Sequence, residues 1–239
     1  MSLHYDNYFT GSFMLEQQVI SWNGLDILDM FNSDSIDLII CDLRNDSIKN
    51  IIPADIDARL FRQRILGILI SKLKAGGSLY TFMDKSSYHK HIDDFRDCEI
   101  RNMIIWSDKK IDIGNGQSLI QSYIPILYIT KGEPKTFNVS NPESEYDEDN
   151  PTDVWTDIPL PTIASDELVS AEYVHLQKPE KIIERIVLTS SNPEETALSV
   201  FSDFGTTAIV CRRQNRFSIT VENNDDEKVI SINRIDKLG

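Results

Sequence analysis

The chain has 239 residues, 41% hydrophobic and 26% charged, which is enough for one large α/β domain or two small ones with a sizeable core. Its formal net charge of −14 repels phosphate backbones at long range, so nucleic-acid contact would require locally concentrated basic residues. No run approaches the roughly 18 apolar residues of a membrane span, and the first residues lack a secretion-signal pattern. Three widely spaced cysteines argue against a disulfide framework or a zinc site. We therefore expect an intracellular protein, cytoplasmic or nuclear, with no membrane partner.

Strand and helix patterns alternate along the first half of the chain. The expected elements are a strand and a helix within 14–33, a buried strand at 36–41, a helix over 57–74, a strand at 78–83, a helix over 89–95, and strands at 101–107 and 123–130. The 57–74 helix is expected to bury Leu60, Ile65 and Leu69 on one face, with basic residues opposite. The glycines after Ala75 predict its stop.

The second half begins with a change in composition. Residues 136–177 contain no Lys or Arg, and acidic residues crowd positions 143–149, which indicates a solvated excursion. Order resumes at Pro179, which suits the first turn of a helix whose apolar positions include Ile182 and Ile186. Strands around 197–201 and 217–221 flank a helix that begins near Gly205.

Alternating strands and helices, with strands that are apolar throughout, predict the fold class. We expect an α/β protein with a doubly wound, mostly parallel sheet and helices on both faces. Residues 1–239 would form a single domain, with 136–177 as an acidic insertion.

Five stretches, taken in order, resemble the β-class amino-methyltransferases of DNA, which methylate the exocyclic nitrogen of adenine or cytosine with S-adenosylmethionine. They are NGLDILDMFNSDSIDLIICD, LKAGGSLYTFMD, YIPILYITKGE, HLQKPEKIIERIVLTSSNP (one residue shorter before its Gln than the family pattern) and FSDFGTTAIVCRRQNRFSITVE. The resemblance implies a Rossmann-like methyltransferase fold with permuted motifs, the catalytic loop first and the cofactor loop last. It also implies that 136–177 stands in place of the target-recognition region.

The catalytic loop departs from that family. Members follow the acid with Pro-Pro-Tyr or a close variant, so that the loop is rigid and an aromatic ring stacks on the flipped base. Here Asp42 is followed by Leu43, Arg44 and Asn45. Asn45 offers no stacking face, the loop is expected to be free, and a guanidinium opposes the developing positive charge. We therefore expect an inactive loop, in which Asp42 is an inherited strand-end acid that is solvated or caps the next turn.

The cofactor loop departs too. The resemblance assigns cofactor contacts to seven positions, namely Phe201, Asp203, Gly205, Thr206, Thr207, Glu222 and Lys178. Asp203 stands where the family has glycine, and its charge would face the cofactor's carboxylate. At roughly 4 Å and an effective dielectric near 20, like charges cost about 4 kcal/mol, about a thousandfold in affinity. Glu222 either holds the ribose hydroxyls or is a surface strand-end acid. We expect no cofactor, and S-adenosylmethionine only if the pocket still functions.

Basic residues are densest at Arg212, Arg213 and Arg216, which form either a small phosphate-facing patch or the solvated end of a helix. The four histidines show no metal-ligand spacing, so no metal is expected. These features together favour a non-catalytic subunit that forms a heterodimer with an active DNA or RNA amino-methyltransferase, supports its folding or substrate placement, and meets nucleic acid through the complex. Three alternatives stay open: a divergent active enzyme, an acidic regulator in another protein's DNA-binding groove, and a pocket that binds a nucleotide-like ligand without reaction.

Overall fold

A computed structural model describes most of the chain, namely residues 17–22, 24–84, 98–107, 122–139, 152–162, 164–201 and 203–238. The expected helix over 89–95 and the acidic cluster at 143–149 lie outside these ranges. Among the helices within them, none has the length and apolarity that a membrane crossing requires.

One sheet organises the described residues. Its strands are β1 Gln17–Ser21, β2 Ile36–Asp42, β3 Leu73–Phe82, β4 Glu99–Trp106, β5 Ile124–Thr130, β6 Val154–Trp155, β7 Thr196–Val200 and β8 Phe217–Glu222. They lie in the order β1-β8-β7-β2-β3-β5-β4-β6. Neighbouring strands are parallel except where β5 pairs with β3 and β4. This confirms the expected mostly parallel sheet.

Helices cover this sheet. They are α1 Asn45–Ile48, α2 Ala58–Lys72, α3 Glu180–Ser190, α4 Thr206–Arg213 and α5 Asp225–Asp236, with 3₁₀ turns at Leu25–Met30 and Ala171–Tyr173. The expected helix in 14–33 is the first of these 3₁₀ turns, and α5 was not expected from the sequence. Along the central strand β2, Ile39 and Cys41 pack with the α2 side, whereas Leu38 and Ile40 pack with the α3 side. Successive strand residues face opposite sides, so apolar strands of this kind need helices on both faces.

The expected glycine stop of the 57–74 helix is wrong. Helix α2 ends at Lys72, and Gly76 and Gly77 lie inside β3. A Cβ on Gly76, whose φ is +81°, would lie 2.6 Å from Cγ of Lys135 and 2.9 Å from the carbonyl oxygen of Glu133. The glycine therefore permits the chain after β5 to approach the strand, which a residue with a side chain would obstruct.

The expected division of α2 into apolar and basic faces is also partly wrong. Leu60 is 38% exposed, whereas Arg62 and Lys72 are buried. Lys72 Nζ donates to the carbonyl oxygen of Phe31 at 2.8 Å. Long basic side chains bury their aliphatic stems while their charged ends reach backbone acceptors, which helical periodicity does not reveal.

Candidate functional site

Three adjacent parallel strands bring the expected site residues to one edge of the sheet. Strands β2, β7 and β8 are neighbours, and their carboxyl ends lead to Asp42, to the loop containing Asp203, and to Glu222. Ligands of open α/β sheets bind at the carboxyl ends of the strands. We call this region, with the loops that follow the three strands, the carboxyl edge.

Asp42 is fully buried and held by two cations. The Arg44 guanidinium donates from Nε to Oδ1 at 3.0 Å and from Nη2 to Oδ2 at 2.6 Å. Lys178 Nζ lies 2.6 Å from Oδ2. Burial alone would raise the pKa of Asp42, but the two cations outweigh it and hold that pKa well below its usual range. The acid is buried, so the expectation of a solvated strand end is wrong. Its Oδ1 also accepts the backbone N–H of Arg44, just before α1, at 3.0 Å, so the other expectation, an acid that caps the next turn, is confirmed.

The loop after Asp42 is fixed rather than free. Leu43 is buried, and its backbone N–H donates to the carbonyl of Phe82 at 3.0 Å. Arg62 Nε donates to the Leu43 carbonyl at 3.0 Å, and its Nη2 donates to Oδ1 of Asn45. The Asn45 N–H donates to Asp84 Oδ2 at 2.6 Å. Hydrogen bonds therefore supply the rigidity that two prolines would otherwise give.

Arg44 also connects the loop to a distant segment. Its Nη1 donates to the carbonyl oxygen of His175 and its Nη2 to that of Leu176, each at 2.9 Å. Only 11% of the Arg44 side chain is exposed. Its planar fork binds Asp42 and both carbonyls at once, a geometry that the single ammonium of lysine does not provide.

Glu222 accepts three hydrogen bonds from its own chain. Its carboxylate accepts the backbone N–H of Asp203 at 3.2 Å and that of Gly205 at 3.1 Å, and the Ser231 hydroxyl at 2.5 Å. Burial, with repulsion from the nearby Asp203 carboxylate, raises the pKa of Glu222 from 4.5 to about 8. The expectation of a surface acid is therefore wrong, because Glu222 is buried.

Asp203 faces the start of α4. Its carboxylate accepts the Thr207 backbone N–H at 2.9 Å and the Thr207 hydroxyl at 2.8 Å. Thr206 is buried beside it. A helix N-terminus attracts anions, and in this chain the protein's own carboxylate takes that place.

Two aromatic side chains belong to the loop that the family resemblance assigns to the cofactor. Phe201 and Phe204 have φ values of +73° and +52°, which bulky residues rarely adopt. Phe201 packs edge-on against Trp22 at 4.9 Å between ring centroids, and Phe204 packs on Tyr173 at 4.7 Å. Such strain persists only where surrounding contacts determine it.

Comparisons with known proteins agree with this architecture. A family model described as DNA methylase, of the N6/N4 type, matches residues 59–233. The chain belongs to this family. The type II methyltransferase M.HpaI of Haemophilus parainfluenzae is 26% identical over 247 residues, which cover 93% of this chain and 75% of that protein.

A second relative and a solved structure are also similar to this chain. The DNA adenine methyltransferase YhdJ of Escherichia coli (strain K12) is 29% identical over 189 residues, which cover 69% of this chain and 62% of that protein. The crystal structure of an M1.HpyAVI–SAM complex aligns with a TM-score of 0.68 at 18% identity, over 92% of this chain and 98% of that one. This last likeness shows the shared fold.

The arginine cluster lies away from the carboxyl edge. Arg212, Arg213 and Arg216 follow or end α4 and precede β8, at the amino end of that strand. Arg216 is buried and donates from Nη2 to the Ser191 carbonyl at 2.8 Å, and Arg213 pairs with Glu180. A role of this cluster in nucleic-acid binding stays a prediction.

Sequence reasoning missed three residues that shape the site: Arg62, Tyr173 and Ser231. Arg62 lies one helical turn before Leu66, on the buried side of α2, which was a usable signal. Tyr173 and Ser231 gave none, because their partners Phe204 and Glu222 are brought to them only by the tertiary fold.

Proposed function

We propose that this chain is a non-catalytic member of its family, one that forms a heterodimer with an active DNA or RNA amino-methyltransferase and supports its folding or substrate placement. One observation carries the proposal. Both carboxylates that the family resemblance assigns to chemistry and cofactor are already engaged by groups of the same chain, Asp42 by two cations and Glu222 by three donors.

Positive charge already surrounds the carboxylate of Asp42. A target amino group must donate to Asp42, but Arg44 and Lys178 already occupy both carboxylate oxygens. Separating one member of a buried ion pair costs about 3–5 kcal/mol, which corresponds to a hundredfold to several thousandfold smaller open population. A guanidinium left at the site would also oppose positive charge developing on the methylated nitrogen.

The acceptor oxygens of Glu222 are engaged in a similar way. Ribose hydroxyls would have to compete with the loop amides that donate to Glu222, and a pKa of about 8 leaves this acid mostly protonated at neutral pH. Asp203 adds a negative charge at the helix terminus where the carboxylate of S-adenosylmethionine would be attracted. Both features favour a protein that does not hold the cofactor.

The partner half of the proposal rests on composition. Residues 136–177, in place of a target-recognition region, contain no Lys or Arg, and the whole chain carries a net charge of −14. Phosphate contacts, which supply most nucleic-acid affinity, come chiefly from basic side chains. This chain would thus contact nucleic acid through a partner. A basic surface on that partner would raise its rate of association with this acidic chain.

A second candidate, a divergent active methyltransferase, is favoured by the family match over 59–233 and by the retained Gly205, Thr206 and Thr207. An assay of methyl transfer to DNA rich in adenine and cytosine distinguishes the two candidate functions. The isolated chain is expected to match an Asp42→Ala variant, at background. Transfer above that control would refute the proposal and support the second candidate.

The partner role has its own test. The purified chain would be mixed with each active DNA or RNA amino-methyltransferase from the same cell, and the mass of the complex and the rate of methyl transfer would be measured. A stable one-to-one complex with a faster or more persistent reaction supports the proposal. Absence of a complex with every such enzyme of that cell refutes it.

A further inference from the structure

The segment that Arg44 holds extends across the carboxyl edge. We define the strap as residues 164–178, which precede α3. One attachment is to the catalytic loop, through the Arg44 hydrogen bonds to the carbonyls of His175 and Leu176 at 2.9 Å each. Another is to the cofactor loop, through the packing of Tyr173 on Phe204 at 4.7 Å. The strap thus bridges the loops that the family resemblance assigns to chemistry and cofactor.

The strap has a shape of its own. Gln177 Nε2 donates to the Glu167 carbonyl at 2.7 Å, and its Oε1 accepts the Val169 N–H at 2.9 Å. The N–H groups of Leu176 and Gln177 both donate to the Tyr173 carbonyl, at 2.9 and 2.8 Å. Its backbone is therefore closed on itself by local bonds, so that it can move as a unit.

The described attachments of the strap include three besides Arg44. Lys178, at its end, pairs with Asp42, Tyr173 packs on Phe204, and Glu167 Oε2 accepts the backbone N–H of Glu180 at 2.8 Å. Arg44 supplies two charge-assisted bonds to backbone carbonyls, a kind worth more than neutral hydrogen bonds. Because Asp42 already orients the guanidinium, little further side-chain order is lost when it binds the strap.

We infer that Arg44 is a latch: it holds the strap closed over the carboxyl edge, and its release lets the strap open as a unit while the sheet stays folded. A segment with a small number of attachments opens locally, at lower free energy than the whole fold. This inference goes beyond the proposed function and does not rest on it. Methyl transfer by the wild-type chain would refute that function and leave the latch standing.

Hydrogen–deuterium exchange of the full chain tests the latch. The Arg44→Ala variant keeps Lys178 as a partner for Asp42. We expect exchange at the amide of Glu180, which donates to Glu167 Oε2 of the strap at 2.8 Å, to become at least about tenfold faster, while paired amides of β2 and β7 keep their wild-type rates. Arg64→Ala, which removes an exposed arginine from α2, is the matched control and should leave both sets unchanged.

Two results would overturn the inference. Wild-type exchange at the Glu180 amide in the Arg44→Ala variant would show that Arg44 does not hold the strap. Equal acceleration at Glu180 and in the sheet would show that Arg44 serves the whole fold. If this variant does not fold, Arg44→Lys decides: it keeps the charge beside Asp42 but not the fork. Faster exchange at the Glu180 amide in Arg44→Lys supports the latch, and wild-type protection of that amide refutes it.

Discussion

Replacing Asp203 with asparagine is expected to flatten the pH dependence of stability. Glu222 has a pKa of about 8 in the folded protein against an ordinary 4.5, because of burial and of the Asp203 charge. At about 1.4 kcal/mol per pKa unit, this gap corresponds to about 5 kcal/mol. The folded chain keeps a proton that the unfolded chain has released, so this stabilisation is complete below about pH 4.5 and is lost as the pH rises through about 8.

The side-chain amide introduced by Asp203→Asn can still accept the Thr207 N–H and can donate to the Thr207 hydroxyl, so the start of α4 should persist. With the neighbouring charge gone, the pKa of Glu222 falls and the variant loses less stability than the wild type between pH 5 and 8. Urea unfolding at several pH values measures this difference. Asp29→Asn, at an exposed acid, controls for net charge. Parallel curves for the Asp203→Asn variant and the wild type would refute the reasoning.

Three further substitutions test the packing of the site by urea unfolding. Arg62→Ala strands two carbonyl acceptors and should cost about 2–4 kcal/mol, whereas Arg64→Ala on the same helix should stay within about 0.5 kcal/mol. Asp42→Asn should lower the free energy of unfolding by about 3–5 kcal/mol at pH 7, because two buried cations lose their counter-charge. An unchanged free energy of unfolding would show that these ion pairs do not stabilise the fold. Gly205→Ala should cost more than about 1 kcal/mol, since the φ of Gly205 is +75° and a Cβ would lie 3.0 Å from the backbone of α5. Gly67→Ala is the control: it has open space inside α2 and should stabilise the fold by about 0.5–1 kcal/mol. Similar changes in stability for the two glycines would contradict this reasoning.

The parts of the fold that the sequence predicted are those with strong local patterns. The apolar run of β2 and the helical repeat after Pro179 indicated their elements directly. Helix α5 was missed because its polar start, rich in Asp and Asn, resembles a loop, and its apolar positions are sparse. The Gly76 signal was misread because a glycine that ends a helix and one that admits a neighbouring chain look alike in sequence.

The site was less predictable than the fold. The family resemblance pointed to Asp42, Asp203 and Glu222, but it did not reveal what each carboxylate contacts. Arg44 donates hydrogen bonds both to Asp42 and to the carbonyl oxygen of His175, which is 131 residues away in sequence. This arrangement depends on tertiary structure. For the same reason the loop was expected to be free, whereas Arg62 fixes it from another helix.

The central claim is that the groups of this chain fill its own catalytic and cofactor positions. Calorimetric titration of the isolated protein with S-adenosylmethionine, up to millimolar ligand, tests it most directly. The account predicts no binding heat, because Glu222 and the start of α4 are already occupied. Binding at micromolar concentration would contradict it.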